Sequence, residues 1–253
     1  MKGKIALVTG STSGIGLGIA EALARAGCEV ILNGFGEVEA ARERIERYGV
    51  RAGYHDADLA DPARIEALLE YAESEFGGVD VLVNNAGIQH VAPIDEFPPE
   101  RWDAIIAINL SAAFHTMRLV LPGMKRRGWG RIINLASTHG LAGSAGKSAY
   151  VAAKHGMVGL TKAVALETAL TPVTCNAICP GWVLTPLVER QIEARAVDGD
   201  LSGAREALLG EKQPSLEFVT PAQLGELALF LCSPAADQVR GAAWNMDGGW
   251  LAQ

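Results

Sequence analysis

Near its amino terminus the chain reads Ile5-Ala6-Leu7-Val8-Thr9-Gly10-Ser11-Thr12-Ser13-Gly14-Ile15-Gly16. The apolar start predicts a strand over Ile5–Thr9, and the pattern after the turn predicts a helix from about Ile15 to Ala26. The three glycines permit a tight turn and a close backbone approach, and the free N–H groups of a helix start favour anions. A glycine cluster alone also fits a flexible turn. Its place after the first strand favours a site for a nucleotide diphosphate.

Strands and helices alternate along the rest of the chain. Further strands are predicted at Glu29–Leu32, Ala52–His55, Asp80–Val83, Arg131–Leu135, Thr174–Ile178 and Ala243–Met246. Helices are predicted at Glu37–Tyr48, Pro62–Phe76, Pro99–Leu110, Ala112–Arg127, around Tyr150 to Ala169, and at Pro221–Leu231. The third and fourth of these also fit one continuous helix. This alternation predicts an α/β fold, a parallel sheet with helices on both faces. One domain over residues 1–253 is the simplest account, with a charged, helical segment at 184–218.

The composition argues against several classes of function. The 253 residues are 49% apolar and 20% charged, as in ordinary globular proteins, and the net charge of −7 disfavours nucleic acid. No uninterrupted apolar run reaches the roughly 20 residues of a membrane span. The first residues lack the apolar core and cleavage site of a signal peptide. We therefore expect a cytoplasmic protein that binds neither nucleic acid nor membrane.

The cysteines give no sign of a metal site. Cys28, Cys175, Cys179 and Cys232 follow no metal-binding spacing, and no metal is expected. Cys175 and Cys179 fall in one predicted strand, where a spacing of four puts both on one face as small core residues. Disulfides are not expected in a reducing compartment.

Tyr150 and Lys154 are one helical turn apart, so a phenol and an ammonium share a helix face. A free phenol titrates near pH ~10, and a cation within ~4–6 Å is expected to lower the pKa of Tyr150. Ser137, which ends an apolar run upstream, would orient a substrate oxygen beside the phenol. The three residues predict proton transfer to or from an alcohol.

The predicted second strand ends Ile31-Leu32-Asn33-Gly34-Phe35-Gly36, where dinucleotide sites distinguish NAD from NADP. This turn has neither an acid for the ribose 2′-hydroxyl of NAD nor a cation for the extra phosphate of NADP. A phosphate without a cation is poorly held, so NAD is the expected cofactor. Phe35 is a candidate for packing on the adenosine or in the core. Asp58 and Leu59 are candidates for contact with adenine, although Asp58 would also suit a turn cap.

Together the motifs resemble the short-chain dehydrogenase/reductase family. They are Thr9–Gly16, Asn84-Asn85-Ala86-Gly87, Asn109, Ser137, Tyr150-x-x-x-Lys154 and Pro180-Gly181. The resemblance covers the whole chain and is specific as a combination. It implies a doubly wound Rossmann fold of about seven strands, a homotetramer, and a catalytic tetrad of Asn109, Ser137, Tyr150 and Lys154. Beyond Phe35, Asp58, Leu59, Tyr150 and Lys154, the implied cofactor contacts are Gly10, Thr12, Ser13, Gly14, Ile15, Gly16, Asn85, Ala86, Gly87, Pro180, Gly181, Val183 and Thr185.

A finer resemblance is to the bacterial 3-hydroxybutyrate dehydrogenases within that family. The segments that carry it are Asn85–His90, Ser137–Gly140, Lys147–Tyr150, Cys179–Val183 and Glu211–Ser215. It implies a small anionic substrate, (R)-3-hydroxybutyrate or acetoacetate, whose carboxylate would be held by Gln89, His139 and Lys147. Trp182 and Gln191 would line the same pocket, and residues 184–218 would close over it. One ammonium and two neutral donors suit a carboxylate.

Two other interpretations remain open. The first is another reductase of the same family, such as a 3-oxoacyl–carrier-protein reductase or a sugar-acid dehydrogenase. A carrier-protein enzyme would want a basic surface, and Arg118, Lys125, Arg126 and Arg127 form only a modest cluster. The second is a non-catalytic nucleotide-binding regulator on the same fold. The intact tetrad argues against it.

Overall fold

The strands and helices alternate as the sequence predicts. The structure, a computed structural model, describes residues 1–196 and 198–252. The strands are β1 Ile5–Val8, β2 Glu29–Asn33, β3 Ala52–His55, β4 Val81–Asn84, β5 Gly130–Leu135, β6 Val173–Pro180 and β7 Ala243–Met246. The helices are α1 Gly14–Arg25, α2 Val38–Glu46, α3 Pro62–Phe76, α4 Pro99–Ile106, α5 Ala112–Arg127, α6 Ser148–Glu167, α7 Pro186–Arg195, α8 Leu201–Gly210 and α9 Pro221–Cys232.

All neighbouring strands are parallel, in the order β3-β2-β1-β4-β5-β6-β7. Helices cover both faces of the sheet, and the central strands are therefore buried on both sides. Leu23 of α1 and Leu224 of α9 belong to the core of one face. Met157 of α6 belongs to the other, together with Cys175 and Cys179. The predicted doubly wound α/β fold is confirmed.

The strand order places a crevice beside the glycine-rich turn. After β3 the chain crosses over β1, so β1 and β4 are neighbours whose connections leave on opposite faces. Such a switch opens a ligand site at the carboxyl ends of the strands. The Thr9 N–H donates to the Val83 carbonyl at 3.0 Å, so the segments after β1 and β4 meet at this crevice.

Several element boundaries differ from the sequence prediction, and two of these differences, together with the link between α4 and α5, have a clear structural reason. Strand β4 includes Asn84, whose Nδ2 donates to Asn134 Oδ1 of β5 at 2.9 Å. Strand β6 extends to Val173–Pro180 because it pairs with β5 along its first part and with β7 along its second. Helices α4 and α5 form one continuous helix through a π-helical turn, Ala107–Ser111.

This continuous helix, Pro99–Arg127, is by length and composition apolar enough to cross a membrane, with a mean hydropathy of 1.6 in its most apolar window. The sequence did not indicate it as a candidate span, because it contains no uninterrupted apolar run of that length. The same composition suits a helix of the protein core. Met117, Val120 and Met124 lie on the face of this helix that is buried in the apolar cluster on the sheet, and this packing accounts for the apolarity of that face.

Residues 184–218, the lid segment, hold α7 and α8. Ile192 of α7 packs with Leu208 of α8 in a small apolar cluster separate from those on the sheet. A parallel bridge between Val183 and Val219 joins the two ends of the segment. The lid segment is therefore a compact helical pair, held beside the ends of β6 and β7 by this bridge and by the hydrogen bond from the Ser215 N–H to the Gly248 carbonyl at 3.0 Å.

The close packing of α1 on α9 depends on glycine. A Cβ at Gly225 would lie 2.7 Å from Ala22 Cβ and 2.9 Å from the Gly18 carbonyl oxygen. We expect Gly225→Ala to lower the free energy of unfolding by about 1–3 kcal/mol, because overpacking exceeds the gain in helix propensity. Gly210→Ala, where a Cβ would meet nothing within 4 Å, is the matched control. Urea unfolding measures both, and equal stabilities would contradict this packing.

Candidate active site

The glycine-rich turn after β1 forms one wall of a cavity of about 570 Å³. Gly10 and Gly14 have positive φ angles of 60° and 55°, which favour glycine. A Cβ at Gly10 would lie 2.9 Å from Ala86 Cα. A Cβ at Gly16 would lie 2.5 Å from Asn85 Nδ2, so Gly16 permits packing beneath the turn and does not line the cavity. The backbone of the turn is thus left open to a ligand.

The segment after β4 fixes the turn from the other side. Asn85 Nδ2 donates to the carbonyls of Thr9 and Gly10, both at 2.9 Å. The Thr9 hydroxyl accepts from the N–H groups of Asn85 and Ala86 at 3.0 and 3.1 Å. Asn85 is therefore partly structural, although Asn85, Ala86 and Gly87 also line the cavity.

The far end of the cavity is built by the segments after β2 and β3. Asn33 is buried and donates to the carbonyls of His55 and Ala57 at 3.0 Å. Phe35 is 66% exposed, so it is not a core residue, and the Thr12 hydroxyl donates to its carbonyl at 2.6 Å. Asp58 lines the cavity and also accepts from Ala60 N–H at 2.9 Å. The turn-capping role of Asp58 is therefore confirmed, and its contact with adenine stays a prediction.

Ser137, Tyr150 and Lys154 meet at the near end of this cavity. Lys154 is 3% exposed, and its Nζ donates to the Leu135 carbonyl at 2.6 Å. The same Nζ lies 5.6 Å from the ring centre of Tyr150. The Ser137 Oγ accepts from the His139 N–H at 3.2 Å and is hydrogen-bonded to the Tyr150 phenol. The end of β5 and the first turns of α6 bring the three residues together.

Burial, more than charge, sets the protonation states here. Burial raises the pKa of Tyr150, and the hydrogen bond with Ser137 opposes this rise. Burial lowers the pKa of Lys154 to about 8. The expected lowering of the Tyr150 pKa by Lys154 is not found, since desolvation penalises both charged forms and the ammonium points to Leu135. In this structure Tyr150 is a neutral phenol at pH 7.

Asn109 takes a structural position in the tetrad. It is fully buried in the π-helical turn. Its Oδ1 accepts from the Ile88 N–H and its Nδ2 donates to the Ile88 carbonyl, both at 2.9 Å. The amide therefore holds the segment from Gly87 to Gln89, which lines the nucleotide cavity and, through Gln89, also a second cavity.

This second cavity, of about 180 Å³, adjoins the first at Tyr150. It brings together all seven residues assigned to the substrate: Gln89, Ser137, His139, Lys147, Tyr150, Trp182 and Gln191. Gly181 and Val183, expected beside the cofactor, line this cavity instead, whereas Pro180 and Thr185 line both.

Two buried nitrogens in the second cavity lack hydrogen-bond partners among the described residues. They are His139 Nε2 and Trp182 Nε1. A buried polar atom without a partner is costly, so such groups mark a ligand position. Burial, with Lys147 as a second cause, lowers the pKa of His139 to about 4, so its ring is neutral at pH 7. Burial also lowers the pKa of Lys147, and Arg195 adds to the effect. The cavity offers one ammonium and neutral donors, a set suited to a carboxylate.

Sequence reasoning missed Trp250 in the second cavity. Its ring lies 5.5 Å from His139 and 6.3 Å from Trp182, centre to centre. The turn Asp247-Gly248-Gly249 after β7 was a usable signal, since it returns the chain to the carboxyl edge of the sheet. Gln213 was likewise assigned no role from the sequence. It is buried, and its Oε1 accepts from the Trp182 N–H at 2.8 Å.

The nucleotide cavity also contains residues that no motif had marked. They are Ala57, Ile108, Leu135, Ala136, Pro186, Leu187 and Arg190. Several belong to the lid segment, whose position over the sheet could not be read from spacing.

Residues 4–196 match the family model described as short chain dehydrogenase. The chain is 66% identical to a D-beta-hydroxybutyrate dehydrogenase from Cupriavidus necator, over 100% of both chains. It is 51% identical to a D-beta-hydroxybutyrate dehydrogenase from Rhizobium meliloti, over 99% of both. This chain belongs to the short-chain dehydrogenase/reductase family and is an oxidoreductase.

Solved structures agree with the family. L-sorbose reductase from Gluconobacter frateurii, complexed with NADPH and L-sorbose, has a TM-score of 0.96 and 33% identity, covering 100% of this chain and 98% of that chain. A putative 2-deoxy-D-gluconate 3-dehydrogenase from Agrobacterium tumefaciens with bound NADP has a TM-score of 0.86 and 36% identity, with the same coverage. The glycine turn, open to a ligand, fits the nicotinamide dinucleotide cofactor of this family.

The two hydrogen bonds of Asn109 make a testable contribution to stability. Asn109→Ala would leave the Ile88 N–H and carbonyl without these partners, and we expect the free energy of unfolding to fall by about 1–3 kcal/mol. Asn245→Ala removes an amide from an exposed residue of β7 and should cost no more than about 0.5 kcal/mol. Thermal and urea unfolding measure both. A loss at Asn109 as small as at Asn245 would contradict the structural role.

Proposed function

We propose that this chain is an NAD-dependent dehydrogenase that reversibly oxidises (R)-3-hydroxybutyrate to acetoacetate. The observation that carries the proposal is the pair of unpartnered donors, His139 Nε2 and Trp182 Nε1, in a small cavity with Lys147. They suit the carboxylate of a short hydroxy acid whose hydroxyl reaches Tyr150. The two hydroxybutyrate dehydrogenase relatives support the same substrate.

The residues of the second cavity bind and orient the acid. The Lys147 ammonium, 5.7 Å from the ring centre of Trp182, attracts the carboxylate, and His139 donates from Nε2. Gln89 and Gln191, which also line the cavity, supply further amide donors. The rings of Trp182 and Trp250 exclude water and pack on the short carbon chain. Their closeness limits the length of acid that fits.

The proton and the hydride leave the substrate carbon–oxygen unit in different directions. Tyr150 accepts the hydroxyl proton, while Ser137 hydrogen-bonds the same oxygen as the carbon–oxygen double bond forms. When bound, an oxidised nicotinamide would supply the hydride acceptor and a positive charge that favours the ionised phenol. Lys154, held by the Leu135 carbonyl, adds its own charge when protonated. The Tyr150 proton then returns to solvent.

The nucleotide end supports NAD over NADP. Among the described residues, the cations that line the first cavity are Lys154 and Arg190, and neither belongs to the Asn33-Gly34-Phe35 turn. Asp58 at this end would repel a further phosphate. The bound NADPH and NADP of the structural relatives belong to proteins only 33–36% identical to this chain.

The alternative reductase substrates have less support. A second cavity of about 180 Å³ leaves little room for a sugar acid or an acyl chain. In the basic cluster, Arg118 is paired with Glu66 and Arg127 with Asp80, which weakens it as a dock for an acidic carrier protein. An exposed apolar groove between α5 and α6, lined by Leu110 and Phe114, would suit assembly, and the homotetramer stays a prediction.

A substrate panel tests the proposed reaction. NADH formation at 340 nm should be faster with (R)-3-hydroxybutyrate than with 2-butanol, which lacks the carboxylate, by roughly 10- to 100-fold in kcat/KM. NAD should exceed NADP as cofactor. A 3-oxoacyl thioester should be a poor substrate for the reverse reaction. A preference for the thioester, or for NADP, would contradict the proposal.

The Tyr150→Phe variant is the control for this panel. It should lower kcat by roughly 10²–10⁴-fold because the proton acceptor is gone, while NADH binding persists. A variant with near-normal turnover would show that Tyr150 is not the base. Wild-type protein that binds NAD but forms no NADH with any substrate would favour a regulator.

The pH dependence follows from the directions of the pKa shifts. Oxidation needs ionised Tyr150, whose pKa burial raises, so kcat should increase with pH above neutrality. Carboxylate binding needs protonated Lys147, whose pKa burial lowers, so KM for the acid should rise at alkaline pH sooner than for an ordinary lysine. Lys147→Arg should move that rise in KM to higher pH, since arginine stays charged.

Lys147→Ala should lower kcat/KM for 3-hydroxybutyrate and leave kcat/KM for 2-butanol unchanged. Equal losses of kcat/KM for both substrates would refute the carboxylate assignment.

A further inference from the structure

Helix α7 of the lid segment faces both cavities at once. Pro186 and Arg190 line the nucleotide cavity, Val188 and Gln191 line the substrate cavity, and Leu187 lines both. Residues on a helix are spaced by 100°, so these five form two adjoining stripes with Leu187 between them. One rigid helix therefore carries contacts to two different ligands.

Arg190 places at the nucleotide cavity a positive charge that has no role in the proposed reaction. It is exposed, and among the described residues it forms no ion pair, whereas Arg195 on the same helix pairs with Glu211 at 3.4 Å. The other cation in that cavity is Lys154, which is buried and directed at the Leu135 carbonyl. A dinucleotide diphosphate carries two negative charges, and the glycine turn offers it backbone N–H groups but no cation.

The attachment of α7 places its first turn beside the diphosphate position. A Cβ at Gly14 would lie 3.4 Å from Thr185 Cγ2, and Thr185 caps α7 by accepting from the Val188 N–H at 3.4 Å. Gly14 also begins α1, whose amino end is the expected anion site. Arg190 lies one turn beyond Pro186 on the same stripe, so its long side chain extends along this edge of the cavity.

We propose that Arg190 binds the diphosphate of the cofactor and thereby holds α7 over the substrate cavity, so that cofactor occupancy favours substrate binding through Gln191. The inference rests on the dinucleotide site proposed above but not on the identity of the acid. The lid segment then couples the two sites, because one stripe of α7 contacts the cofactor and the adjoining stripe contacts the substrate. Coupling of this kind is reciprocal.

Equilibrium titration of the protein alone with NADH tests the contact. Energy transfer from tryptophan to the dihydronicotinamide reports binding without turnover, and calorimetry with ADP and with adenosine separates the phosphates from the base. Arg190→Ala should weaken NADH and ADP by roughly 5- to 30-fold and leave adenosine unchanged. Arg190→Lys should lie between it and wild type. Higher salt should narrow the difference.

Arg195→Ala is the matched control, since it removes one cation from the same helix outside the nucleotide cavity. Unchanged NADH and ADP affinities in Arg190→Ala, or equal losses in Arg195→Ala, would overturn the proposal. A larger loss for NADPH than for NADH would assign Arg190 to the 2′-phosphate and overturn it as well. An Arg190 effect on NADH binding in a protein inactive on 3-hydroxybutyrate would leave the inference standing and remove the proposed substrate.

Discussion

The structure depends on a lysine ammonium held inside the protein at the end of a parallel strand. Lys154 is almost fully buried, and the Leu135 carbonyl at the end of β5 accepts its hydrogen bond at 2.6 Å. A buried charge is tolerated only where it is hydrogen-bonded, and here burial brings the pKa of Lys154 down to about 8. The same burial raises the pKa of Tyr150. In both residues, burial therefore favours the neutral form of the side chain over the charged form.

At the carboxyl edge of the sheet, Tyr150 and Lys154 lie where two cavities adjoin. The segment after β4 is fixed by Asn109 through Ile88, and its Gln89 lines both the nucleotide cavity and the smaller cavity that holds His139 and Lys147. Tyr150 lines both. A dinucleotide and a short acid can thus approach one phenol from two sides. Helix α7 lies across both openings, which makes it the element through which the two ligands can influence each other.

Sequence was sufficient where chemistry follows local spacing. The turn at Gly10 and Gly14, the helical pair Tyr150 and Lys154, and the alternation of strands and helices were all predictable, because period and turn geometry are local properties. Trp250 and Arg190 were not, because their positions depend on how the carboxy-terminal turn and the lid segment pack over the sheet. The direction of the Tyr150 pKa was also beyond the sequence: spacing shows a neighbouring cation, but only packing shows the greater effect of desolvation.

The most direct test of this account is the ionisation of Tyr150 itself. Carbon-13 NMR of protein labelled at the tyrosine Cζ, with Tyr150→Phe to assign the signal among the four tyrosines, follows that ionisation through a pH titration. The account predicts that Tyr150 in the protein alone ionises above the ordinary value of about 10, and that saturating NAD moves the transition to lower pH. A phenolate already formed below pH 8 in the protein alone would contradict it.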